Sequence, residues 1–157
     1  MTLCNLSSAS HKVFHILTNI GFIPYHYIMN TKFTVEFYET VKGEKPCLEF
    51  LNSLEVKLRA KAFRDMALLE EKGRELRLPY SEHLDDGIFE LRTKQGSNII
   101  RTMYFFFVGN KIILTHGFKK KTQKVPPAEI DRAKEYRKDY LARHPQKEET
   151  KWLWQKH

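Results

Sequence analysis

Cysteine is scarce in this sequence: only Cys4 and Cys47 occur in 157 residues. Two are too few for a disulfide scaffold, and neither belongs to a CxxC pair or a zinc-finger spacing with histidine. This usage points to a reducing, cytoplasmic setting and to no structural metal. Long apolar runs are also lacking. The best candidate, Val13 to Ile28, has 16 residues and contains His15, Asn19, Pro24 and His26, short of the roughly 20 residues a membrane helix needs. With one lysine before it and Tyr25-His26-Tyr27 near its end, it makes a poor signal peptide, so no membrane role is expected. No phosphate-binding loop, GxSxG elbow, HExxH or GxGxxG is found, which leaves nucleotide hydrolysis, serine esterase and zinc-protease chemistry without local support. No cofactor is expected.

What is present suffices for one ordinary domain: 41% hydrophobic residues, of which a good share is aromatic, can bury a core at this length. The formal net charge is +8, which favours phosphate-bearing or acidic partners without choosing among them. Its distribution is uneven. Residues 1–28 hold only Lys12, residues 29–110 hold 13 basic and 13 acidic side chains, and residues 111–157 hold 13 basic and 6 acidic. The last third carries nearly all of the excess.

Thr31 to Tyr38 alternates, with Phe33, Val35 and Phe37 on one face, and predicts a half-buried strand. Gly43 to Pro46 predicts a turn, with Pro46 opening a short helix that buries Leu48 and Leu51. Ser53 is expected to cap a longer helix, in which Leu54, Leu58, Ala62, Met66 and Leu69 recur at spacings of three and four, and Gly73 to close it. After a loop containing Pro79, strands are expected at Ile88–Thr93, Ile99–Val108 and Lys111–Phe118, the last two joined by a Gly109-Asn110 hairpin turn. Tyr104 to Val108 is apolar on both faces and predicts the central strand. A last helix is expected from Pro126-Pro127 to about Arg143, before Pro145. The order β, α, α, β, β, β, α implies a small α+β domain with a mainly antiparallel sheet packed by helices. Residues 29–144 are read as that domain, residues 1–28 as an upstream N-terminal extension, and residues 145–157 as a polar C-terminal tail.

A basic cluster is set among the strands: Arg92 ends one, Arg101 lies inside the next, and Lys119, Lys120, Lys121 and Lys124 follow the third. Neighbouring antiparallel strands can bring such residues to a single phosphate group. Arg101 shares a strand face with Ile99, Met103, Phe105 and Phe107, where an arginine is costly unless it is paired or borders a binding surface; a salt bridge to Glu90 is the alternative to a binding role. Phe118 is suited either to stacking on a base or to the core. His116 and His83 are candidate proton donors or acceptors, or ordinary polar residues. Asp85-Asp86-Gly87 is read as a turn and not as a metal site.

The segment Leu84-Asp85-Asp86-Gly87-Ile88-Phe89-Glu90-Leu91-Arg92, then Arg101, then His116-Gly117-Phe118-Lys119-Lys120-Lys121-Thr122-Gln123-Lys124-Val125-Pro126, resembles the RelE/HigB-type toxins of bacterial type II toxin-antitoxin modules, most closely the phage-related HigB-like branch. The resemblance covers roughly Phe33 to Arg143. It implies a RelE-like microbial RNase fold whose basic cleft cuts messenger RNA on the ribosome, without a metal, by attack of a 2′-hydroxyl on the adjacent phosphate. It also implies silencing by a cognate antitoxin, often a helix-turn-helix protein. Arg92, Arg101, Lys120 and His116 are the implied catalytic residues, and Phe118, Lys119, Lys121 and Lys124 the substrate-binding ones. Arg101→Ala is expected to abolish toxicity in a folded protein. Val125 departs from the threonine common before the proline. Two other readings remain open: a toxin of this fold that inhibits DNA gyrase, as ParE proteins do, and a basic phage-type nucleic-acid-binding protein with neither activity.

Overall fold

A computed structural model describes residues 32–145; the expected extension at 1–28 and most of the polar tail lie outside them. The first strand, β1 (Thr34–Phe37), is shorter than its alternating pattern. It still sends Phe33, Val35 and Phe37 to one side of the sheet and Tyr38 to the other. Helix α1 (Pro46–Asn52) has proline at its start and buries Cys47 and Leu51, whereas Leu48, expected inside, is only half-buried. Ser53 ends α1 instead of starting the next helix: its hydroxyl donates to the Phe50 carbonyl at 2.6 Å. A serine serves either end of a helix through the same local bond, so the sequence pattern does not choose between them. Helix α2 (Val56–Lys72) buries Leu58, Ala62, Met66 and Leu69 as expected, together with Asp65. Gly73 closes it with φ 51°, and the Phe33 ring lies 1.9 Å from the place a Cβ would take.

Strand β2 (Ser81–Asp85) was not expected from the sequence. It is joined to β3 (Ile88–Gln95) by Asp86-Gly87, both with positive φ (45° and 72°), the backbone of a tight hairpin. β4 (Asn98–Phe107) and β5 (Lys111–Lys119) follow, connected by Val108 to Asn110, one residue more than the Gly109-Asn110 pair alone. Helix α3 (Pro127–Arg143) completes the fold.

The sheet order is β1-β5-β4-β3-β2, with β1 parallel to β5 and the other neighbours antiparallel. β4 is therefore central, and the fold is the expected α+β with a mainly antiparallel sheet. One face packs Leu91, Ile100, Tyr104, Ile112 and Leu114 against α1 and α2. The other packs Ile88, Met103, Phe105 and Ile113 against Ala133 and Tyr140 of α3. Among the described residues no helix is long and apolar enough to cross a membrane.

Candidate functional site

One extra residue in β5 decides which side chains meet. Tyr104 lies opposite Leu114, but Met103 lies opposite His116, so Thr115 is bulged out of the ladder. Its hydroxyl donates to the Met103 carbonyl at 3.1 Å. A bulge reverses the in-and-out order of everything after it. His116 and Phe118 consequently join the α3 face, where Phe118 is opposite Arg101, and Arg101 is in turn opposite Arg92. Gly117 turns to the other face, where the Phe50 ring lies 2.3 Å from where a Cβ would sit. Only glycine fits under that ring.

The two arginines are organised by Glu90, which is completely buried. Its carboxylate pairs with the Arg92 guanidinium through one oxygen and lies 3.2 Å from Arg101 Nε through the other. The second contact is ionic and not an aligned hydrogen bond, since neither Arg101 Nε nor Glu90 Oε2 has a hydrogen-bond partner among the described residues. Glu82 takes a further nitrogen of Arg92. Arg101 is only 3% exposed, and its Nη2 donates to the Gln123 carbonyl at 2.5 Å. The pairing with Glu90 posed by the sequence is present, and Arg101 also lines an open cleft.

That cleft has a volume of about 680 Å³ and is walled by Lys61, Tyr80, Arg92, Lys94, Arg101 and Lys120, among others. Lys120 is placed by two bonds: its backbone N–H donates to Ile99 at 2.8 Å, and its ammonium donates to the Gln123 side chain at 3.1 Å. Phe118, Lys119, Lys121 and Lys124 line a second, smaller hollow of about 350 Å³, which shares Arg101 and Lys120 with the first. Arg101 and Lys120 thus stand on the divide between the two. Three of the residues singled out from sequence, Arg92, Arg101 and Lys120, converge on the main cleft.

His116 does not join them. It is 3% exposed, with Nε2 at 2.9 Å from Glu129 Oε2 and Nδ1 at 3.2 Å from the Thr115 hydroxyl. Burial holds its pKa below the ordinary 6.5, against the opposing pull of Glu129. The contact ties the first turn of α3 to β5 beside the lysine loop. Phe118 is half-buried, stacked on His116 with centroids 6.2 Å apart and packed against the α3-side core. His83 is an exposed residue of β2 that accepts the Gly87 N–H at 3.3 Å. The helix that follows the loop begins without a side-chain cap because Pro126 holds the N-cap position, and Val125 lies one residue before it.

Sequence reasoning missed Lys61, Tyr80 and Lys94 as cleft residues. Lys61 comes from α2 and Tyr80 from the turn before β2, so only the packed fold reveals them. Lys94 was legible in principle, because it repeats the Arg92 position two residues further along β3.

Fold and site together define a small α+β protein with a cationic cleft opening beside the helix-covered face of its sheet. The family model described as phage-derived Gp49-like protein matches residues 49–138, and the chain belongs to that family, one of RelE-like toxins. The match agrees with the resemblance to RelE-type toxins read from the DGIFELR and FKKKTQK segments. A comparison with curated proteins gives no significant match.

Proposed function

We propose that the protein is the toxin of a type II toxin-antitoxin pair, a ribosome-dependent endonuclease that cuts messenger RNA without a metal. The observation that supports this reading is the convergence of Arg92, Arg101 and Lys120 on one open cleft. In the reaction a ribose 2′-hydroxyl gives its proton to solvent and its oxygen bonds to the adjacent phosphorus, while the bond to the 5′-oxygen of the next nucleotide breaks and that oxygen takes up a proton. A cyclic phosphate and a 5′-hydroxyl result. In-line geometry, neutralisation of the added negative charge and protonation of the leaving oxygen are the three requirements.

The planar Arg101 guanidinium, fixed by Glu90 and Gln123, is suited to grip the scissile phosphate, and Arg92 adds charge beside it. Lys120 is the proton donor that reaches the cleft; His116 is engaged by Glu129 under α3 and acts by holding the lysine loop. The ribosome supplies the rest of the positioning, and a cognate antitoxin, a helix-turn-helix protein in the HigB-like branch, silences the toxin.

Arg101→Ala is a poor test, because it leaves Glu90 buried beside one fewer cation. Lys120→Met removes the ammonium from a half-buried position and keeps the fold. Wild type and variant are added to a bacterial translation reaction, and new messenger 5′ ends are mapped by primer extension with and without ribosomes. Cuts are expected only with ribosomes and with 5′-hydroxyl ends, about a hundredfold fewer for Lys120→Met. Growth arrest by a wild type that makes no cuts would overturn the nuclease reading and favour gyrase inhibition.

A further inference from the structure

We propose that Tyr80 and Lys61 form a subsite for an unpaired nucleobase of the RNA strand, next to the phosphate held by Arg92 and Arg101. The inference rests on the RNA-cleaving reading and adds a specific contact to it. The main cleft, at about 680 Å³, is larger than a phosphate group requires, and away from Arg101 it is bounded by Tyr80, Lys61 and Pro79.

Tyr80 extends the β2–β3 ladder by one step: its carbonyl accepts the Arg92 N–H at 2.7 Å, beyond the Ser81–Leu91 pair. Cross-strand neighbours stand about 5 Å apart at Cβ, and Tyr80 and Arg92 both line the cleft. Tyr80 is 39% exposed, and its place in the chain is held by backbone bonds. The Lys61 ammonium lies 5.8 Å from the ring centroid, within the range of a cation–π contact. Lys61 is itself held by Asp65, a buried carboxylate whose second oxygen has no partner among the described residues.

The chemistry favours a nucleic-acid strand. A partly exposed aromatic ring on an anchored backbone offers a face to any base, and stacking of this kind does not depend on sequence. Arg92 and Lys94 project from one face of β3, about 7 Å apart by strand rise, a spacing suited to successive phosphates of an extended strand. Among the described residues no carboxylate lines the cleft.

The test uses the full chain and two fluorescein-labelled single strands: an RNA with 2′-O-methyl riboses, which cannot be cut by the proposed route, and an abasic strand of equal length. Binding is followed by anisotropy at several salt concentrations. Tyr80→Ala is expected to bind the base-bearing strand about tenfold more weakly and the abasic strand as wild type does, while Tyr80→Phe stays within about twofold of wild type on both. Lys61→Gln is expected to lower the salt slope by about 0.7 on either strand. Because the Tyr80 carbonyl is retained in these variants, the bond to Arg92 survives, and the comparison isolates the ring. Unchanged binding by Tyr80→Ala, or equal losses on both strands, would overturn the subsite. So would a wild type that binds neither strand. The RNA-cleaving reading is judged separately by primer extension, which does not depend on Tyr80.

Discussion

Strands β3, β4 and β5 build two unlike regions on one face of the same sheet. Under α3, Ile88, Met103, Phe105 and Ile113 meet Tyr38, Ala133 and Tyr140 in a closed apolar layer, and its border histidine, His116, is sealed by Glu129. Two residues further along the same strands the helix gives way to the loop from Lys120 to Val125, and Arg92 and Arg101 occupy the sheet in place of apolar side chains. The buried Arg101 and the half-buried Arg92 are tolerable there because Glu90 contacts both. The carboxylate that makes the arginines affordable also fixes where they point. The same group both stabilises the sheet and positions the wall of the cleft, whereas under α3 burial contributes to stability alone.

The sharpest way to break this contrast is Glu90→Gln. Among the described residues, removing the charge leaves Arg101 buried with no anion and Arg92 with Glu82 alone. Loss of one partner from a buried pair costs about 3–5 kcal/mol, and urea unfolding should show a loss of that order. A comparable substitution under α3, Met103→Leu, conserves volume and should cost less than about 1.5 kcal/mol. If Glu90→Gln unfolds at the wild-type urea concentration, the arginines do not need their counter-ion, and the account of the cleft's rigidity fails.

A smaller effect separates the two regions by pH. Burial depresses the His116 pKa below 6.5 in the folded protein, with Arg132 adding to the shift and Glu129 opposing it. The unfolded chain therefore binds a proton more readily than the folded one. The stability this histidine contributes is complete above 6.5 and is lost as pH falls through its lower folded value. Asp85 and Asp139, held below 3.8 by Lys134 and Arg143, enter only in stronger acid. His116→Gln should cost about 1 kcal/mol at neutral pH and remove the decline just below 6.5. A variant with the wild-type slope in that range would mean that another group titrates there.

The apolar region was more legible in the sequence than the polar one, for reasons visible in particular residues. Tyr104 to Val108 is apolar on both sides, which only a central strand tolerates, and β4 is central. Arg101 stood out because its neighbours at alternate positions are apolar, and the sheet does place it on the α3 face with Met103 and Phe105. β2 escaped notice because Ser-Glu-His-Leu-Asp is polar and lies at a sheet edge, although Asp86-Gly87 carried the hairpin signal. The bulge at Thr115 left no mark at all. Simple alternation puts His116 on the face of Leu114, and one inserted residue moves it under α3. Tyr80 and Lys61 reach the cleft through packing between segments far apart in the chain, which no local pattern records.

The smallest effects belong to the exposed lysines, and they mark where the rigid part of the cleft ends. Lys121 and Lys124 are exposed and line only the smaller hollow, whereas Lys120 is anchored by two bonds and lines both. A solvated cation attracts a phosphate strand without fixing it, so its removal weakens association through the salt-dependent part of binding. Lys121→Gln and Lys124→Gln should each lower the salt slope for single-stranded RNA by about 0.7 and change stability by less than about 0.5 kcal/mol. Neither should reduce the cutting rate on saturated ribosomes as Lys120→Met does. A loss of cutting at saturation in either variant would place the exposed lysines in the reaction itself, and the boundary between anchored and merely attractive charge would then lie beyond Lys124 instead of after Lys120.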